Sequence, residues 1–258
     1  MKRSHFIAAT AGVSFGQAVF SARALAESLV VHVYGPGGPA PAMKSIAVDF
    51  EARTGTHVDL VAGPTPTWKD RAIADADVIF SGSENMMTDF TTQLPGVLAE
   101  STIVPAYIRP ASILVHPGNP LHITGMRDLL KPGVKVMIVQ GAGQTGMWED
   151  LAGRGPHALQ NIRSLRKNIV SYAANSAVAL ATWSGPTSPD AWIIYNIWQI
   201  AHPAVAENVP IEPEFALYRD AGIALTTRSA GNPQAKAFFD FVLSDAGAAI
   251  FAKWGWSR

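Results

Sequence analysis

The chain contains no cysteine in its 258 residues. That excludes disulfides, thiolate metal sites and the lipid-modified cysteine that tethers many exported proteins. Charge of one sign is also missing, with 20 basic and 20 acidic side chains. The seven histidines are scattered without metal-ligand spacing, so neither a metal nor a cofactor is expected. Neither Gly-x-Ser-x-Gly nor His-Glu-x-x-His occurs, so the sequence carries no hydrolase signature, and no catalytic residue is expected. There is no internal repeat, charge block or low-complexity tract. Beyond residue 26, no apolar run is long enough and free enough of charge to span a bilayer.

The first 26 residues are expected to serve export. Lys2 and Arg3 give a positive start, Phe6 to Phe20 is mostly apolar, and Ala24-Leu25-Ala26 is a small-x-small cleavage site before Glu27. Removing Lys2, Arg3 and Arg23 leaves 17 basic side chains against 20 acidic ones. A mildly acidic surface does not suit nucleic acid or anionic membrane as a partner. The expectation is a soluble protein, free in the periplasm and monomeric, whose length suggests two lobes.

What is present is a series of strand-then-helix units with buried-looking strands, the pattern of a mostly parallel α/β sheet. The apolar run Leu29 to Tyr34 enters the turn Gly35-Pro36-Gly37-Gly38-Pro39. A helix follows, with Met43, Ile46, Ala47 and Phe50 at helical spacing and an end near Thr54-Gly55. Strands are expected at His57 to Ala62, Asp77 to Phe80, Val134 to Gln140, Ile169 to Ala173, Asp190 to Tyr195 and Tyr218 to Thr226. A shorter one ends at Ile113-Leu114-Val115, and Pro233 to Lys253 reads as one amphipathic helix. Lobe 1 is placed at 27–114 plus 218–258 and lobe 2 at 115–217, with crossovers near Leu114 to Pro117 and Phe215 to Tyr218.

The chemistry lies in the loops. A chain that leaves a strand, turns on glycines and enters a helix gathers unpaired N–H groups where the helix dipole favours negative charge. Gly35 to Pro39 does this in the first half and Gly141-Ala142-Gly143-Gln144-Thr145-Gly146 in the second, so a small anion held between lobes is expected. Gly37, Gly38, Gly143 and Gly146 permit close backbone approach, and Thr65, Thr67, Ser83, Thr145 and Ser176 offer hydroxyl donors. Tyr34, Gly35, Trp68, Gln144, Asn175 and Tyr195 flank these loops and complete the candidate set. Thr65, Ser83 and Asn175 or Ser176 also read as helix caps, and Trp148 and Trp192 as core. Arg163, Arg166 and Lys167 read as a solvated helix end. A carboxylate ligand would call for a guanidinium, with Arg109, Arg166 and Arg219 as the candidates.

A second reading comes from Gly35-x-Gly37-x-x-Ala40 and Gly141-x-Gly143-x-x-Gly146, which match the dinucleotide fingerprint, the first followed by Asp59. It would make the protein an exported oxidoreductase. Pro36, Pro39 and Pro41 count against it, because they remove donors a pyrophosphate would use.

Taken together, several pieces resemble the accessory colonisation factor C group. They are the Tyr34-to-Pro39 turn, Phe50-Glu51-x-x-Thr54-Gly55, Ala76-Asp77-Val78-Ile79-Phe80, and Gly141-Ala142-Gly143 with Gly146-x-Trp148-Glu149-Asp150. Arg166-Lys167-Asn168-Ile169 and Asp190-Ala191-Trp192 complete them. That group is similar to exported solute-binding proteins related to the molybdate- and sulfate-binding receptors. The resemblance implies the type II periplasmic binding fold, with two α/β lobes joined by two crossing strands that close on a small oxyanion or carboxylate. It implies handover to a transporter of the ABC type or to a chemoreceptor.

Overall fold

The computed structural model describes residues 30–258. The expected export segment, 1–26, lies outside the described residues. No helix among the described residues is long and apolar enough to cross a membrane.

The first half is built on three parallel strands, β1 (Val30–Gly35), β2 (His57–Ala62) and β3 (Val78–Phe80), in the order β2-β1-β3. Between β1 and β2 runs α1 (Ala40–Thr54). Its second residue is a proline, tolerated there because the first-turn N–H groups have no intrahelical acceptor. It stops at Gly55, whose left-handed φ of 72° lets its N–H close on Glu51 O. Met43, Ile46 and Phe50 are buried, and Phe50 meets the Phe238 ring edge-on at 5.3 Å. Short α2 (Lys69–Asp75) and α3 (Glu84–Gln93) follow, with Ser83 capping α3 by accepting from Met86 N at 3.2 Å.

β4 (Val104–Val115) then carries the chain from one half to the other. It is far longer than the Ile113-to-Val115 segment expected, because Pro105 and Pro110 disguise its first part. Pro105 sits at a register shift and is exposed, and Pro110 is the last residue to pair with the returning strand. Val104 to Pro110 lie antiparallel to β9 (Tyr218–Leu225), while Ala111 to Val115 lie antiparallel to β7 (Ala191–Tyr195). β4 therefore changes partner between Pro110 and Ala111.

The second half repeats the scheme with β5 (Val136–Val139), β6 (Ile169–Ala173) and β7 parallel, and β8 (Glu207–Val209) beside the end of β4. The full path is β2-β1-β3-β9-β4-β7-β5-β6, a mixed sheet curled about β4 and β9. Its helices are α4 (Met126–Leu129), α5 (Met147–Arg154), α6 (Ala158–Asn168), α7 (Ser176–Trp183) and α8 (Ile197–Ala201). Within α4, the Asp128 carboxylate accepts from Lys131 Nζ and from Thr124 N and Oγ1, which hold its pKa down at about 2. A depressed carboxylate contributes stability above its unfolded pKa and loses it as pH falls from about 4 toward 2. Asp128→Asn should therefore melt slightly lower than the native chain at neutral pH and together with it near pH 2, as followed by circular dichroism.

The expected single C-terminal helix is two, α9 (Pro233–Leu243) and α10 (Asp245–Ala252). Ser244 breaks it with an extended ψ of 171°, and its Oγ accepts from Gly247 N at 3.1 Å, capping the second helix. A side chain at Gly247 would strike Val242 O at 2.3 Å, which holds the two helices in their close elbow. Phe238, Val242 and Phe251 are buried, whereas Phe241 and Ile250 are only half-buried.

Candidate functional site between the two half-sheets

The loops that matter leave the carboxyl ends of the parallel strands, where open α/β sheets hold their ligands. After β1, the Ala40 N–H is spent on Gly37 O, and Pro36, Pro39 and Pro41 have none, so the turn's free donors are the Gly37 and Gly38 amides. Gly35 is fixed by crowding, since a Cβ there would lie 2.5 Å from Phe80 O. Gly37 has open space around it. The β3 loop Ser81-Gly82-Ser83 packs against this turn, and a Cβ at Gly82 would stand 3.4 Å from the Pro36 ring. Ser81 Oγ accepts from Gly222 N at 3.1 Å, tying the loop to β9.

From the second half come the β5 and β6 loops. Gln144 N closes on Gly141 O at 2.9 Å, and Gly146, at φ 70°, turns the chain into α5. Asn175 caps α7 by accepting from Val178 N at 3.0 Å, and Ser176 begins that helix. A Cβ on Gly141 would lie 3.8 Å from Ala174 O, so the two loops are neighbours. They reach across the molecule: a Cβ on Gly143 would be 3.8 Å from Gly82 O and 3.6 Å from Met86 Cε. Tyr195, at the end of β7, donates its hydroxyl to Gly143 O at 2.5 Å. Burial pushes the Tyr195 phenol pKa up, which keeps it a donor.

Beneath this meeting point lies Arg109, 1% exposed. Its guanidinium is sandwiched between the Tyr195 ring (3.8 Å to the centroid) and the Trp256 ring (4.2 Å). Nη2 donates to Gly82 O at 2.8 Å and lies 3.6 Å from where a Gly38 Cβ would stand. Nε and Nη1 have no hydrogen-bond partner among the described residues. Desolvation lowers the Arg109 pKa to about 10, with Tyr195 opposing the shift. Directly across the ladder, Arg219 is paired with Asp150 of α5, a bond between the two halves.

The structure thus gathers Gly35, Gly37, Gly38, Ser83, Gly143 and Tyr195. Asn175, Ser176 and Gln144 lie alongside, and Thr145 and Gly146 are exposed at the rim. It turns three expected residues away. Tyr34 and Trp68 are core: Tyr34 donates to Asp75 at 2.7 Å, and the Trp68 indole donates to Gly63 O at 3.0 Å. Side chains alternate along a strand, so the residue before the Gly35 turn points into the far layer. Thr67 spends its hydroxyl on Pro64 O at 2.7 Å, whereas Thr65, half-buried, lies in a turn that joins the first loop through Gly63 N and Gly35 O at 3.0 Å. Arg166 lies over Trp148 at 5.7 Å, leaving Arg109 as the guanidinium inside the site. Gly82, Ser81 and Trp256 were not foreseen. A charged residue in the run Ile108-Arg109-Pro110-Ala111-Ser112-Ile113 was the one available signal for the Arg109 position.

Two parallel half-sheets joined by crossing strands, with glycine turns facing each other across the junction, define a two-lobed binding protein of the type II periplasmic fold. The chain belongs to the bacterial extracellular solute-binding proteins, whose family model matches residues 31–257. No sequence among curated proteins matches it. Among solved structures it is similar to PEB3 bound to L-phospholactate, at 33% identity and a TM-score of 0.82, covering 88% of this chain and 99% of that one. PEB3 from Campylobacter jejuni also matches at 33% identity, with a TM-score of 0.80 and the same coverage of both chains. The sulfate-binding protein SubI from Mycobacterium tuberculosis shares the fold at 18% identity and a TM-score of 0.71, covering 88% of this chain and 86% of that one. The dinucleotide reading finds no support in these matches, and Asp59 is engaged by Arg71 at 3.1 Å.

Proposed function

We propose that this protein captures a small anion between its two lobes in the periplasm and hands it to a membrane transporter or chemoreceptor, acting as a monomer and without a chemical step. The observation that carries the reading is the convergence of glycine turns from both halves on one point, Gly143 against Gly82, above a buried arginine. Backbone amides of Gly37 and Gly38 and the α3 and α7 amino ends supply donors suited to an oxyanion or a small carboxylate, while Tyr195 spends its hydroxyl proton on holding the Gly143 turn. The lobes are assigned to 27–114 with 218–258 and to 115–217. Rotation about β4 and β9 would part them, and an anion bridging the turns would favour the closed form.

The relatives suggest the probes, since the matched PEB3 carries L-phospholactate and SubI is a sulfate-binding protein. A molybdate-binding protein from Azotobacter vinelandii shares the fold at 14% identity. Thermal melting with each of these three anions, and with NAD as control, should show one anion raising the melting temperature. A ligand at 100 times its dissociation constant adds about 2.7 kcal/mol, or about 5–10 °C for a chain of this size. A response to NAD alone, or to none of the anions, sinks the reading.

A further inference from the structure

We infer that Arg109 sets the charge selectivity of this site: its guanidinium is a buried cation whose counter-ion is the ligand, so that a ligand must carry net negative charge to close the lobes. The inference rests on the anion-capture reading and names the residue that enforces it.

Arg109 lacks the partners that a buried cation requires. A guanidinium withdrawn from water needs a carboxylate or a full set of acceptors. Arg109 has one acceptor, Gly82 O, and two aromatic faces, while Nε and Nη1 are buried without a partner among the described residues. No carboxylate forms an ion pair with it among the described residues. Asp220, the one carboxylate whose charge favours the guanidinium, is half-buried and forms no ion pair with it. Arg219, opposite it on β9, has its own carboxylate in Asp150. The hinge therefore holds two arginines on one face of the ladder, one neutralised across the cleft and one not.

Its position turns that imbalance into recognition. The cation touches the undersides of both first-lobe turns, at Gly38 and Gly82, and stacks on Tyr195, which grips the second-lobe turn through Gly143 O. An anion seated on those turns would lie over a positive charge held in low dielectric, where Coulomb attraction is weakly screened. A neutral solute of the same shape would meet the same amides and leave the charge uncompensated.

The test uses calorimetry with L-phospholactate on the full mature chain. Arg109→Gln keeps an N–H donor for Gly82 O and removes the charge; affinity should fall about ten- to hundredfold. Arg109→Lys keeps the charge and should recover part of that loss, which a purely structural role would not produce. Because a buried variant can fail to fold, the native protein with 15N-labelled arginine gives an independent readout. Its most exchange-protected Nε–H resonance should move on saturation with L-phospholactate. Gln binding as tightly as the native residue, or an unmoved resonance, overturns the inference while leaving anion capture intact. A native protein that binds none of L-phospholactate, sulfate and molybdate overturns both.

Discussion

Gly35→Ala should cost the protein about 3 kcal/mol, the upper end for overpacking, and lower its melting temperature by about 6–12 °C. The added Cβ would lie 2.5 Å from the Phe80 carbonyl and 2.6 Å from two carbons of its ring. Neither can retreat easily. Phe80 is 1% exposed, and its strand is paired on both sides, with β1 through Val33 and Val78 and with β9 through Phe80 and Ile223. Relief requires β1 and β3 to part where the first turn begins. Gly37→Ala is the control, two residues on: it meets nothing within 4 Å and lies outside the left-handed region. It should melt within about 1 °C of the native chain, as surface substitutions do. Calorimetric melting of both variants decides the matter, and a Gly35→Ala protein as stable as Gly37→Ala would mean that the crowding at Phe80 is absent in solution.

Gly143→Val should bind the anion about ten- to hundredfold more weakly while remaining folded. A Cβ at this position sits at ordinary contact distance from Met86 Cε and Gly82 O, so alanine should be accommodated. The two γ-methyls of valine have no such room and must enter the seam between the halves. The strain falls on the closed form, at about 1–3 kcal/mol, and the open form escapes it. Titration calorimetry on the Ala and Val variants, with circular dichroism as a check of folding, separates closure from stability. Valine binding as tightly as glycine would place the ligand away from this seam.

The legible parts of the sequence were those whose cause is local. Apolar runs marked β1, β2, β6 and β7, of which β1 and β7 are largely buried while β2 and β6 lie half-exposed at the ends of the sheet. The glycine after Thr54 marked the end of α1, and Asn175-Ser176 marked the start of α7, where Asn175 is the cap. The glycine turns were also visible, although a strand feeding a helix through glycines also makes a plain tight turn, and Gly35 is required by the nearness of Phe80. What escaped depends on partners far along the chain. The first half of β4 was hidden by prolines that only a bulge and a change of partner make tolerable. Tyr34 and Trp68 pack on one another at 6.1 Å, and Trp68 meets the Phe90 ring at 5.5 Å, a cluster of residues from three separate elements that no neighbouring residue reports. Arg109 was visible as a charge, but its sandwich joins residues 195 and 256 to a strand at 109, an arrangement with no local signature.

The place of β9 in the sheet bears on how the chain assembles. β5, β6 and β7 all lie within the stretch between the two crossings, so the second half can form from contiguous chain. The first half cannot: β9 is wedged between β3 and β4, and the pairing of Val78 with Leu225 joins residues that the whole second half separates in sequence. Such a distant pairing must meet a large loop-closure entropy before any contact rewards it. The second half should therefore fold early and bring its two ends together, shortening the search for β9. Until that strand arrives, β3 presents an open edge, and the interval between emergence of β1 and docking of β9 is when the chain is most exposed to aggregation and proteolysis.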